Sequence, residues 1–244
     1  MSASAVNRRF APGWPTTLFV AAFMPLLLTL GFWQLERAAE KEILQATMDE
    51  GRAQLPVSLR SAQTEQSPHW RPVRLQGHFD PERIWLLDNR TRNGQAGVEV
   101  LQLFADQSGQ ALVVNRGWVA WPDRSSLPRI DSPTGELVLD AEIVPAPGEP
   151  FSLGAAQQQH GWPKLVTALD VESLATEAEV ALPPWTARLR SGSAAALRLD
   201  WPPLPTTASR HTGYAVQWFA LAAALLILFI WAGMRPEQDR EPTP

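Results

Sequence analysis

The chain has 244 residues, a formal net charge of −4 and no cysteine. These exclude disulfides, thiolate metal sites and cysteine nucleophiles, and they leave no basic field of the kind that draws nucleic acid. The cations are almost all arginine, with Lys41 and Lys164 the only lysines.

No charged residue occurs from Phe10 to Leu35 or from Thr212 to Met234. A helix needs roughly 20 apolar residues to cross a bilayer core, and both stretches are long enough. The predicted organisation is a tail over 1–13, a span over 14–34, a mainly-β domain over 35–211, a second span over 212–234 and a tail over 235–244. Arg8 and Arg9 give the first span a basic start, but Thr16 to Trp33 outruns a signal-peptide core of about 7–15 residues. The exit from Gly31 to Arg37 also lacks a small-x-small cleavage pattern, so a retained anchor is expected. Pro25 is expected to kink the first helix. Trp14 and Trp33, and Trp218 and Trp231 in the second span, are placed like interfacial aromatic belts. Arginines flank both sides of the spans, so charge counting leaves orientation open.

From Leu35 to Met48 there is no proline or glycine, and the helix is expected to continue out of the bilayer. Period-two alternation over Val73–Phe79 reads as a half-buried strand, and Ile84–Leu87 as another. Asn93-Gly94 supplies turn chemistry before a strand over Val98–Phe104. Ser108-Gly109 turns the chain into Ala111–Asn115, and Leu137–Ile143 alternates again. Asp170 is positioned to cap a helix over Val171–Glu179, Trp185–Arg190 reads as a last strand, and Pro202, Pro203 and Pro205 punctuate the return to the second span. The expected fold class is an α+β membrane protein: two transmembrane helices, N- and C-terminal, flanking a mainly antiparallel β barrel or sandwich.

Standard enzyme motifs are missing from the sequence: no nucleophile elbow, no phosphate-cradling glycine loop, no paired histidines at metal spacing. Of the histidines His69, His78, His160 and His211, the last stands out. It lies one turn before Tyr214 and two before Trp218, so the three share a face at the mouth of the second span. An imidazole beside apolar helix surface and aromatic rings suits axial ligation of a haem, and Arg37 at a comparable depth suits a propionate. The competing reading is an interfacial anchor at headgroup level. Trp33-Gln34-x-x-Arg37 offers the same choice: an aromatic belt with a snorkelling arginine, or support for a ligand, with Gln34 within reach of the other helix. For Val114-Asn-Arg-Gly-Trp118 a structural role is expected, with Arg116 pairing a carboxylate and Trp118 covering the core edge.

The order Gly31-x-Trp33-Gln34-Leu35-x-Arg37-x-x-x-Lys41, Val114-Asn-Arg-Gly-Trp-Val119 and His211-x-x-Tyr214-Ala215-x-x-Trp218-Phe219 resembles the Surfeit locus (Shy-type) family of cytochrome c oxidase assembly factors. Asn89-Arg90 and Gly94-x-x-Gly97-Val98 are similar to that family's central region. One departure is that Ala120 and Trp121 precede Pro122. The resemblance implies a non-catalytic role in inserting haem a into oxidase subunit I. It also implies a bacterial inner-membrane location with cytoplasmic tails and a periplasmic domain, and haem a synthase as a further partner. It points to His211 as the haem-iron ligand. Tyr214, Trp218, Trp33 and Arg37 are expected supports on geometry alone, and no other metal is expected. The rivals are a scaffold that never touches haem and a membrane-tethered periplasmic binding domain; a hydrolase ranks last.

Overall fold

The computed structural model describes residues 10–66, 68–145, 161–201 and 207–234. The flanking Arg8, Arg9, Arg235 and Arg240, together with His160, Pro202, Pro203 and Pro205, lie outside the described residues. The chain divides into two compact units. One comprises helix α1 (Trp14–Ala53) up to Gln45 together with helix α4 (Ala208–Gly233). The other runs from Ala46 through the β-structure.

In the first unit α1 is 40 residues long and continues as helix through Pro25. Both α1 and α4 are long and apolar enough to cross a membrane. The missing Pro25 amide removes one ladder bond, a loss that membrane helices tolerate. The two helices run antiparallel, with contacts from Gln34–His211 at one end to Ala11–Gly233 at the other.

The second unit contains strands β1 (Val57–Ser58), β2 (Pro72–Arg92), β3 (Gln95–Asp106), β4 (Ala111–Ala120), β5 (Leu137–Pro145), β6 (Lys164–Val166) and β7 (Trp185–Leu189), with short helices α2 (Leu59–Gln63) and α3 (Val171–Ala178). The strands form one seven-stranded sheet in the order β1-β2-β3-β4-β7-β5, and β2 also pairs β5. The path β2-β3-β4-β7-β5 therefore returns to β2. The long ladders β2–β3, β3–β4, β2–β5 and β5–β7 are antiparallel. Three short pairings, β1–β2, β2–β6 and β4–β7, are parallel.

The two strands expected at Val73–Phe79 and Ile84–Leu87 are one strand, β2, bent at a register shift between Phe79 and Ile84. A strand interrupted by proline survives only at a bulge or edge, and Pro81 sits in this bulge. Asp80 organises it: its Oδ1 accepts from the amides of Glu82 (2.9 Å) and Arg83 (3.1 Å), and its Oδ2 accepts from the Arg83 guanidinium (2.6 Å). Burial alone would raise the Asp80 pKa, but the Arg83 and Glu82 amides and the Arg83 guanidinium outweigh it and hold the pKa below the usual carboxylate value. A depressed folded-state pKa means Asp80 stabilises the fold above its unfolded pKa, and that contribution fades as pH falls through the folded value. Asp80→Asn should therefore lower stability at neutral pH and flatten its acid dependence below about pH 4. Urea midpoints compared at pH 3 and pH 7 check this; equal losses at both would rule it out.

Asn93-Gly94 forms the β2–β3 turn, both residues having positive φ (51° and 77°), as primed hairpin turns require. Asp170 caps α3, its Oδ1 accepting from the Glu172 amide at 3.2 Å. The core of this unit has three clusters. One surrounds Phe79 and Phe104, one surrounds Trp85 and Leu174, and one surrounds Leu86 and Trp121.

Candidate functional site

Three of the sequence motifs meet in one place within the β-unit. Gly97 on β3 lies against the Trp118 ring of β4, and a Cβ there would overlap that ring and the Val119 carbonyl oxygen. Trp118 Nε1 donates to the Arg90 carbonyl at 2.7 Å, and the Arg198 guanidinium stacks 5.1 Å from the ring. Gly117 has φ 117°, and a Cβ on it would press on the Arg198 carbonyl oxygen. Asn115 Nδ2 donates to Glu99 Oε2 at 2.8 Å, while its Oδ1 accepts from the Gly117 amide at 3.0 Å. Arg92 closes the group by donating to Glu99 Oε1 at 2.5 Å. Arg90 Nε and Arg92 Nε are buried without a hydrogen-bond partner, but Glu99, Asn115 and Trp118 are each held by the bonds above, which marks the group as architecture.

The expected carboxylate partner of Arg116 is not what the fold supplies. The buried guanidinium donates instead to neutral acceptors: the Ala195 carbonyl (3.1 Å), Gln102 Oε1 (2.8 Å) and the Asp131 backbone carbonyl (3.0 Å). It also stacks 5.3 Å from the Phe79 ring. Burial lowers its pKa and the nearby Asp131 charge opposes the shift, yet a guanidinium stays protonated at neutral pH.

In the helical unit, a seam runs along Val20, Met24, Leu27, Gly31, Gln34 and Ala38 of α1 and His211, Ala215, Trp218, Ala222, Leu225 and Phe229 of α4, with the half-buried Leu30 and Phe219 beside it. Both sets alternate steps of four and three, the heptad pattern of packed antiparallel helices. Small residues let the backbones approach: Gly31 faces the Phe219 ring, and the Ala11 amide donates to the Gly233 carbonyl at 3.0 Å. The outward faces carry Phe19, Phe23, Leu26, Val216, Leu221, Ile227 and Leu228, all exposed apolar side chains.

His211 lies in this seam. Its Nδ1 is 2.8 Å from Gln34 Oε1, and its Nε2 is buried without a hydrogen-bond partner. Trp218 is half-buried on the same seam. Tyr214, Trp33 and Arg37 lie elsewhere. Tyr214 is 53% exposed, because the four-three step from His211 selects Ala215 where a simple one-turn count selects Tyr214. Trp33 is exposed, and Arg37 pairs with Glu40 at 2.6 Å while stacking 5.8 Å from the Trp33 ring. The seam thus brings together His211, Gln34 and Trp218. A strict heptad count would have found Gln34 as the histidine's partner; a single-helix face count could not.

An imidazole nitrogen that is buried, unpartnered and free of a proton can bind a metal ion or accept a hydrogen bond from a donor brought to it. Among the described residues no group of three or more histidine and carboxylate side chains is arranged to hold a metal ion.

Two antiparallel helices, each long and apolar enough to cross a membrane, flank one mainly-β domain in sequence, the layout of a membrane-associated protein. The SURF1 family model matches residues 21–223, and the chain belongs to this family, which comprises oxidase assembly factors. Similar curated proteins are the SURF1-like protein of Rickettsia bellii (strain RML369-C), 23% identical over 231 residues covering 88% of this chain and 89% of that one, and the SURF1-like protein of Rickettsia felis (strain ATCC VR-1525 / URRWXCal2), 22% identical over 221 residues covering 88% and 95%.

Proposed function

We propose that this protein is a non-catalytic factor that assists delivery of haem a to subunit I of cytochrome c oxidase, working at the outer face of a bacterial inner membrane. The helices cross the bilayer, the β-domain lies in the periplasm, and the ring of strands is a small barrel that docks on the nascent subunit. Haem a synthase is the natural donor. The observation that carries the haem role is the buried, partnerless Nε2 of His211, held in a seam between two membrane-length helices.

The donor atom fits a haem iron, which takes an imidazole lone pair as its axial ligand. The space around it is closed, because Nε2 is buried. A porphyrin must therefore part the side chains over that nitrogen, and the seam between two apolar helices gives a route that stays within the apolar phase. Trp218 lies in the seam to pack against a porphyrin face. Trp33, Arg37 and Tyr214 lie on outer surfaces, where Arg37 would meet a propionate only by leaving Glu40.

The closed seam favours a second reading, in which the protein stabilises a cofactor-free oxidase intermediate and His211 only locks the helices together. Oxidase purified from a strain lacking this protein separates the readings. Delivery predicts subunit I present with haem a content severalfold below normal. Subunit I lost together with its cofactor would point to the scaffold, and oxidase with normal haem a would end both.

A further inference from the structure

We infer that Gln34 is a positioning residue that sets the tautomer of His211, and so presents the Nε2 lone pair to the seam. This rests on the haem reading above for its purpose, but its geometry stands alone. A neutral imidazole carries one N–H. Gln34 Oε1, 2.8 Å from Nδ1, can only accept, so the proton sits on Nδ1 and Nε2 is left as a bare donor atom. The opposite tautomer is penalised twice. Nδ1 would turn its lone pair on a carbonyl oxygen, and an Nε2–H would be buried where that nitrogen has no partner. Leaving a buried donor unsatisfied shifts such an equilibrium by about tenfold or more.

Position 34 is suited to this task. It falls on the heptad seam three residues after Gly31, whose missing side chain brings α4 close enough for the amide to reach His211. The carbonyl also raises the electron density of the ring, as outer-shell partners of ligating histidines do. The ligand it prepares for is an electron-pair acceptor, an iron at Nε2. Gln34 belongs to α1 and His211 to α4, so the tautomer is set only while the helices are paired. A histidine on an isolated α4 would have no such preference.

The test uses the full chain, haem-free, in lipid nanodiscs, with 15N-labelled histidine; His211→Ala assigns the resonance among the chain's four histidines. Nitrogen shifts distinguish the protonated from the bare ring nitrogen. The expected result is Nδ1–H in the wild type, a mixture of tautomers in Gln34→Leu, and recovery of Nδ1–H in Gln34→Glu, which keeps an acceptor oxygen at the same reach. In a second arm haem is titrated in, and Gln34→Leu should bind about tenfold to a hundredfold more weakly, with Gln34→Glu recovering affinity and shifting the reduced-haem spectrum. Nε2–H in the wild type, or an unchanged tautomer in Gln34→Leu, overturns the inference. If His211→Ala leaves haem binding intact while the tautomer follows residue 34, the positioning role stands and the haem-ligand reading falls.

Discussion

Gly97→Val should be strongly damaging to the β-domain. The new side chain would have to enter space held by the Trp118 ring and the Val119 carbonyl oxygen, and the second is backbone that cannot rotate away. Overpacking a filled core costs about 1–3 kcal/mol, and more where backbone must yield, so a loss of about 3 kcal/mol or more is expected. For a domain of this size that lowers the melting temperature by about 10 °C. Trp118→Ala should cost a comparable amount, about 3–5 kcal/mol, because it removes a ring only 4% exposed and leaves the Arg90 carbonyl without its donor. The two are coupled. Trp118→Ala clears part of the space that valine needs, so the double variant should lose less than the sum of the single losses. Near-ultraviolet circular dichroism of the full chain during heating measures this. An unchanged midpoint for Gly97→Val would remove the close contact between β3 and β4.

Gly31→Leu should part the two helices. A Cβ at Gly31 would meet the Phe219 ring at 2.6 Å. Alanine can be met by a small swing of the ring tip, but leucine fills the seam beyond it. A cost of about 1–3 kcal/mol against pairing corresponds to a tenfold change for every 1.4 kcal/mol or so. The absence of native cysteine makes the measurement clean. Cysteines introduced at Gln34 and His211, whose side chains are 2.8 Å apart in the native pair, should bridge efficiently with a short bismaleimide. Adding Gly31→Leu should cut the yield about tenfold or more. Equal yields with glycine and leucine at position 31 would contradict the packed seam.

Much of this arrangement is legible from residue order. The two spans follow from uncharged length alone, because a bilayer sets a length requirement that few soluble segments meet. The hairpin at Asn93-Gly94 and the Asp170 cap follow from local chemistry. What escapes the sequence is what depends on distant neighbours. Strands β1 and β6, of two and three residues, are too short to show a period and exist because β2 offers them an edge. The bend that joins Val73–Phe79 to Ile84–Leu87 is set by Asp80 folding back on two following amides, whereas Pro81 read alone suggests a break. The neutral partners of Arg116 come from residues 102, 131 and 195, far apart in the chain.

The candidate site divides in the same way. His211 is visible as a polar residue at a span boundary, but its face is not, since one helix alone offers Tyr214 and Ala215 as equally near neighbours. The second helix decides between them: the pairing that brings Gln34 onto His211 turns Ala215 inward, where it is buried, and leaves Tyr214 exposed. For Gly117 and Trp118 of the central motifs the sequence predicts a structural role. In the fold they hold β3, β4 and the segment around Arg198 together.

The haem content of the protein purified from cells that make haem a tests the central claim most directly, with wild type and His211→Ala compared by optical spectrum at equal protein concentration. The account predicts a haem spectrum from the wild type and its loss from His211→Ala, with the thermal midpoint of the β-domain unchanged. A colourless wild type, or an equal haem signal from the variant, would contradict it.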